Sequence, residues 1–184
     1  DGNTLVYIGG NCEIGTDTSG AQLYYADSGN VFGAGMGNTT LNTSGKVYNT
    51  HVIIDGDAII NNSVYGGGNY GIAGQNNSSN PDSSDNANDI QTATTIDILG
   101  GTIKGSVYGG ANNNGAATDP QPIRGTSIIN MSDGTVLGAV YGGCNTSGVL
   151  RGAARINITG GTLGNSETND DIVFGGGKGQ NTIS

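Results

Sequence analysis

Ile96-Asp97-Ile98-Leu99-Gly100-Gly101-Thr102-Ile103, followed by Ser106-Val107-Tyr108-Gly109-Gly110, is one unit of a repeat that runs through the chain. The second phrase returns as Val31-Phe32-Gly33-Ala34-Gly35, Val64-Tyr65-Gly66-Gly67-Gly68, Val140-Tyr141-Gly142-Gly143 and Val173-Phe174-Gly175-Gly176-Gly177. The five copies start 33, 43, 33 and 33 residues apart. A fixed period marks a repeat architecture, in which each unit contacts only its neighbours. The first phrase travels with the second. Ile129-Asn130-Met131-Ser132-Asp133-Gly134-Thr135-Val136 precedes Val140 by 11 residues, as Ile96 precedes Val107. The copy from Val52 to Ile59 has one extra residue, and that from Ile156 to Leu163 is followed by a six-residue insert.

Apolar-x-apolar alternation is the period-two signature of a strand with one buried face. The runs are three to five residues long and end in Gly, Asn or Asp, which tolerate left-handed backbone at corners. Gly supplies 36 of 184 residues and no long 3.6-period stretch occurs, which argues against helix. No two-residue Asn-Gly hairpin joins alternating runs, so a coiled parallel sheet fits better than a meander. The expected fold is all-β: a right-handed parallel β-helix, or β-solenoid, with about three short strands per coil. The regular repeat offers no place to divide residues 1–184, so a single domain is expected.

Hydrophobic residues make up 34% of the chain, so one narrow core of stacked Ile, Val and Leu must stabilise it. Lys and Arg number 6 against 15 Asp and Glu, a net charge of −9. That balance argues against nucleic acid, whose affinity rests on phosphate-neutralising cations. It also argues against docking on anionic membranes. No apolar stretch approaches the about 20 residues needed to span a bilayer, and no signal peptide is visible. The composition suits a secreted or surface module that is monomeric, and the abrupt start at Asp1 suits a piece of a longer repetitive protein.

Cys12 and Cys144 are expected to be unpaired. Leu5-Val6-Tyr7-Ile8-Gly9-Gly10 reads as a degenerate copy of the Val-aromatic-Gly-Gly phrase, which would set the two thiols four coils, about 19 Å, apart. The polar run 75–92 accounts for the 43-residue interval and reads as a loop bulging from one corner. Asp82, Asp85, Asn88 and Asp89 within it carry hard oxygen ligands and are weak candidates for calcium, though nothing there matches the twelve-residue helix–loop–helix spacing. The insert Asn165–Asp171 has the same ambiguity. Gly176-Gly177-Lys178-Gly179-Gln180-Asn181 overlays a calcium β-roll phrase, but Asn181 replaces its carboxylate. No cofactor is expected, and removing calcium should leave the melting temperature nearly unchanged.

For catalysis the candidates are few. The one histidine, His51, sits beside the start of a strand, and no nucleophile elbow or metal-ligand cluster is present. A glycosidase needs two carboxylates on one sugar, for which Asp55 with Asp57, Asp133, or Asp170 with Asp171 are available. A lyase would want a cation near acidic ligands, and Arg151 with Arg155 is the one basic pair. Asp55, Asp57 and Asp133 stand where other copies have Gly-rich corners, and Asp is a common corner residue. The chain is therefore read as not an enzyme.

The strongest binding feature is the column Phe32, Tyr65, Tyr108, Tyr141 and Phe174, one aromatic per repeat. Phe and Tyr interchange there, so the ring matters more than the hydroxyl. Neighbouring residues of a strand face opposite sides. Either the aromatics stack in the core with the valines outside, or the valines are inside and the aromatics form an outer platform.

The phrases Ile96–Ile103 and Ser106–Gly110 resemble the repeats of very large, wall-anchored surface proteins of gut Gram-positive bacteria. Those proteins are read as adhesins, and some resemble B-cell superantigens that bind immunoglobulin variable domains. The resemblance implies an extracellular module at the bacterial cell surface, recognising a host protein such as immunoglobulin, or a mucosal glycan, without a cofactor. A spacer that holds another domain away from the wall, and a glycan-cleaving β-helix enzyme, are the alternatives.

Overall fold

The computed structural model describes residues 2–15, 28–38, 45–74, 92–112, 123–146, 148–164 and 172–179. The 75–91 stretch with Asp82, Asp85 and Asp89, together with Asp170, Asp171 and Asn181, lies outside the described residues. Every strand pair is parallel, and no helix occurs among the described residues. The chain visits three sheets in turn and then returns to the first. The first sheet holds β1 (Thr4–Ile8), β4 (Thr50–Ile54), β8 (Thr92–Ile98), β12 (Thr126–Met131) and β15 (Ala154–Ile158). The second holds β2 (Glu13–Ile14), β5 (Ile59–Ile60), β9 (Thr102–Ile103), β13 (Thr135–Val136) and β16 (Thr162–Leu163). The third holds β3 (Val31–Phe32), β6 (Val64–Tyr65), β10 (Val107–Tyr108), β14 (Val140–Tyr141) and β17 (Val173–Phe174). The architecture is consistent with a β-helix of five windings.

The repeat phrases match residue for residue. Val52 pairs with Ile96, Ile96 with Ile129 and Ile129 with Ile156, so each apolar position lies on its own copy. In β4 the alternation leaves Thr50, Val52 and Ile54 buried. Val52, Ile54, Ile60, Val64, Ile96, Ile98, Ile103, Val107 and Val136 are fully sealed and form one continuous core from all three sheets. Each such side chain contributes roughly 1.5–3 kcal/mol of burial, which lets a chain so poor in apolar residues fold. Backbone N–H groups donate along the stack, as from Gly66 to the Tyr108 carbonyl and from Gly109 to that of Tyr141, at 2.9 and 2.8 Å.

A fourth, smaller stack was not legible in the repeat. Strands β7 (Ala73–Gly74) and β11 (Ile123–Arg124) pair, and single bridges extend the row to Val47 and Leu150. These residues close a second apolar cluster with Ala34, Ala93, Ala111 and Cys144.

Two expectations need correction. Leu5-Val6-Tyr7-Ile8 is not a copy of the aromatic phrase. It is β1 of the first sheet, with Val6 paired to Val52, Ile8 to Ile54, and Tyr7 turned outward. Cys12, just before β2, therefore lies three windings from Cys144 rather than four; both thiols are free, Cys12 exposed and Cys144 buried. His51 is the second residue of β4, inside the strand rather than beside it.

Candidate functional site

In the third sheet Val31, Val64, Val107 and Val140 point into the main core, so the aromatics stand on the opposite face of each strand, while Val173 at the end of the row is exposed. Their rings stack face to face from Phe32 through Tyr65, Tyr108 and Tyr141 to Phe174, with centroids 4.8, 5.0, 4.9 and 4.9 Å apart. That is the inter-strand spacing itself, so stacked strands fix the rings in contact. Tyr65 and Tyr108 are only 4% and 3% exposed. Phe32 and Tyr141 are half-buried, whereas Phe174 at the end of the column is 42% exposed. The Asn145 amide donates to the Tyr65 hydroxyl at 3.3 Å. Burial pushes the Tyr108 phenol up to about 12, partly offset by a hydrogen bond with Ser106. The valine-inside arrangement thus coexists with a ladder whose middle is closed to solvent.

A ladder of hydroxyls fastens the first sheet to the third. Thr4, Thr50, Thr94 and Ser127 donate to the carbonyls of Gly33, Gly66, Gly109 and Gly142, at 2.6, 2.5, 2.6 and 2.5 Å. The fifth winding has Ala154 at this position, paired with Ser127. Other polar rows also satisfy themselves along the stack. Asn112 donates to Asn69 and Asn145 to Asn112, at 3.2 and 2.8 Å. At one corner the Ser63 hydroxyl accepts from the Ser106 N–H and the Ser106 hydroxyl from the Ala139 N–H.

The candidate acids do corner work. Asp55 and Asp133 each accept from the N–H of the following glycine at 2.7 Å, closing left-handed corners at Gly56 and Gly134. Asp55 also accepts from the exposed Tyr7 hydroxyl at 3.2 Å, and its charge raises the Tyr7 pKa. These two carboxylates belong to the second and fourth windings and are not brought onto one another. Asp57 is exposed at the same corner as Asp55. No group of three metal-ligating side chains converges among the described residues.

The outer face of the first sheet brings together residues that the sequence kept apart. Two rows cross all five windings: Leu5, His51, Thr95, Ile128 and Arg155, and beside them Tyr7, Ile53, Asp97, Asn130 and Asn157. All ten are half-exposed or exposed, with Leu5 at 66% and Tyr7 at 60%. His51 Nε2 lies 2.6 Å from Asp97 Oδ2 across neighbouring strands, and Asp97 Oδ1 accepts from the Asn130 amide at 2.7 Å. Asn157 continues the chain of amides to Asn130 at 2.8 Å. Where this face meets the strand starts, an open groove of about 310 Å³ is lined by Asn3, Thr4, Asn49, Thr50, His51, Thr92 and Thr95. His51 and Asp97 are 46 residues apart, and no local motif announces the pair; the register of β4 on β8 was the missing signal.

No protein-family model matches the chain, and no curated protein or solved structure matches it significantly.

Proposed function

We propose that the three parallel sheets close into a right-handed β-helix, and that this solenoid is a non-catalytic binding module at the bacterial cell surface. Its partner would be a host protein, immunoglobulin among the candidates, or a glycan. The closed right-handed form is favoured because parallel crossovers are right-handed in about 98% of cases. The observation that carries the binding reading is the outer face of the first sheet. Its two exposed rows extend flat across five windings and mix apolar side chains (Leu5, Tyr7, Ile53, Ile128) with an ordered polar chain from His51 to Asn157. Leu5, Tyr7 and Ile53 lie together at one end of this face, and exposed apolar groups clustered in that way suit a partner. An extracellular setting and a host partner follow from the resemblance of the repeat phrases to wall-anchored surface proteins.

The enzyme alternative is disfavoured because Asp55 and Asp133 are each committed to a corner glycine. The spacer alternative is favoured by a different observation. Polar side chains of successive windings satisfy one another in ladders, as a stiff rod requires.

Capture of serum and mucosal proteins on the immobilised chain, compared with a Leu5→Asp, Ile128→Asp variant, tests the reading. A partner retained by the native chain and lost by the folded variant supports the binding module. A blank on both favours the spacer.

A further inference from the structure

We propose that the groove at the start of the first sheet is a binding site for a neutral, hydroxyl-rich glycan. Asn3, Asn49, His51, Thr92 and Thr95 would make the contacts. The inference rests on the binding-module reading and assigns one ligand class to one place on the module.

A local break in the repeat creates the groove. Thr126 pairs with Thr92, but Ser127 pairs with Thr94, so Ala93 is an extra residue opposite one step of β12. Such a bulge turns the strand and re-aims the side chain before it. Ala93 falls into the small core while Thr92 stays exposed. Asn3 and Asn49 lie on the neighbouring strand starts, and the three together line the concavity with His51 and Thr95.

Several amides and hydroxyls elsewhere are consumed in ladders along the stack. Here the side chains of Asn3, Thr92 and Thr95 make no hydrogen bond among the described residues. The Asn49 amide, turned so that its nitrogen donates to the carbonyls of Thr92 and Tyr48 at 2.8 and 2.9 Å, leaves Oδ1 to accept. Asp97 occupies His51 Nε2, which leaves Nδ1 as the second polar atom of a ring held in place. The walls, by contrast, are spent: the Thr4 and Thr50 hydroxyls are committed to Gly33 and Gly66. The groove therefore offers several donors and acceptors within one concavity of about 310 Å³, at the lower end of the usual range for ligand sites.

Neutrality follows from the lining. Among the described residues that line the groove there is no Asp, Glu, Lys or Arg, and the whole chain carries −9. Sulfated or sialylated chains would meet no Lys or Arg among these residues and an opposing field at longer range. Hydroxyl pairs on a sugar ring match alternating amide oxygens, amide nitrogens and hydroxyls, each of which donates and accepts in turn.

The test is titration of the folded chain with mannotriose, cellotriose, N-acetyllactosamine and triacetylchitotriose, and with sialyllactose and a heparin tetrasaccharide as acidic probes. The readout is the shift of the amide and side-chain NMR signals of Asn3, Asn49, His51 and Thr95. The expected result is saturable binding of at least one neutral probe, on the order of millimolar or tighter, with neither acidic probe shifting these signals. Thr95→Val keeps a β-branched side chain and removes the hydroxyl. It should weaken that binding by about 2- to 10-fold with an unchanged fold, and Thr92→Val should act likewise. Silence from every neutral probe, equal response to the acidic ones, or binding that both variants retain would overturn the proposal. If a protein partner is still captured through Leu5 and Ile128 while the groove stays silent, the groove assignment fails and the binding-module reading survives.

Discussion

The Thr94 hydroxyl donates to the Gly109 carbonyl at 2.6 Å, with both residues buried and fifteen positions apart in one winding. It joins the first sheet to the third at the point where the main core gives way to the smaller one. Thr4, Thr50 and Ser127 repeat the contact in three other windings. The row also explains the first glycine of the first four aromatic phrases. A Cβ on Gly109 would stand 2.5 Å from the Gly142 carbonyl and 2.8 Å from the Ser127 hydroxyl. Close stacking of backbone on backbone and the hydroxyl clasp together leave room for hydrogen alone.

Thr94→Val keeps the shape and removes the donor. The Gly109 carbonyl then stays buried without that partner, so the chain should lose about 1–3 kcal/mol of stability. Thr94→Ser should cost less, since Ser127 fills the same position one winding on. Ala154→Ser places a hydroxyl in the one winding that lacks it and should gain about 0.5–1.5 kcal/mol. Urea denaturation of the three variants checks the order; a Thr94→Val midpoint equal to that of the native chain would show that the ladder is decorative.

Two glycines at the same repeat position should respond in opposite ways. Gly109→Ala forces a methyl into backbone of the next winding, and about 3 kcal/mol or more should be lost. Gly175→Ala meets nothing within 4 Å and should change stability by no more than about 0.5 kcal/mol. Thermal melts of both variants measure this, and equal losses would mean that intrinsic glycine preference, rather than stacking, sets the requirement.

The two phrases carried most of this fold in the sequence. Ile96 and Ile98 announced an inward-facing strand, and the constant 11 residues from Ile96 to Val107 announced that copies would lie in register. The hydroxyl clasp had a signal too: Thr4, Thr50, Thr94 and Ser127 each stand two residues before the first apolar position. That signal is weak on its own, because Thr and Ser are ordinary strand-edge residues until a carbonyl partner is seen. Tyr7 misled for a related reason, since Val6-Tyr7 mimics the aromatic phrase locally and only pairing of Val6 with Val52 reveals its phase. The stack through Val47, Ala73, Ile123 and Leu150 was illegible because its members share neither chemistry nor spacing. The groove and the His51–Asp97 pair depend on a bulge and on cross-strand register, neither of which a single strand encodes.

The two thiols should differ sharply in reactivity. Cys12 is exposed, whereas Cys144 is buried in the small core and burial pushes its thiol up to about 11. A buried thiol is seldom ionised at neutral pH, and the thiolate is the reactive species. A chromogenic disulfide reagent at pH 8 should therefore label one thiol promptly and the second only after denaturant is added. Prompt labelling of both would mean that the Ala111–Cys144 region opens freely.

The last prediction concerns alkaline pH, where the aromatic ladder should become a weakness. The phenol of Tyr108 rises from 10.0 to about 12 because burial penalises the phenolate, with the neighbouring Tyr65 and Tyr141 adding to the shift. A group whose pKa is raised on folding holds its proton longer in the folded chain. Its stabilisation is complete below pH about 10, where neither state ionises, and is lost as pH climbs through about 12. Over that window the unfolded chain sheds the proton first, and the native state should lose of order 2 kcal/mol from this residue. Cys144 adds a similar decline that begins nearer its unfolded value of 9.0, so the native chain alone cannot isolate the phenol. Tyr108→Phe can. It keeps the stacked ring, as Phe32 and Phe174 do naturally, and removes the titrating hydroxyl. At pH 8 the variant should be within about 1 kcal/mol of the native chain, the difference reflecting the lost Ser106 hydrogen bond. From pH 10 to 11.5 it should gain steadily on the native chain in urea denaturation. Two stability curves that stay parallel across this range would show that the Tyr108 hydroxyl reaches solvent and that the middle of the ladder is open.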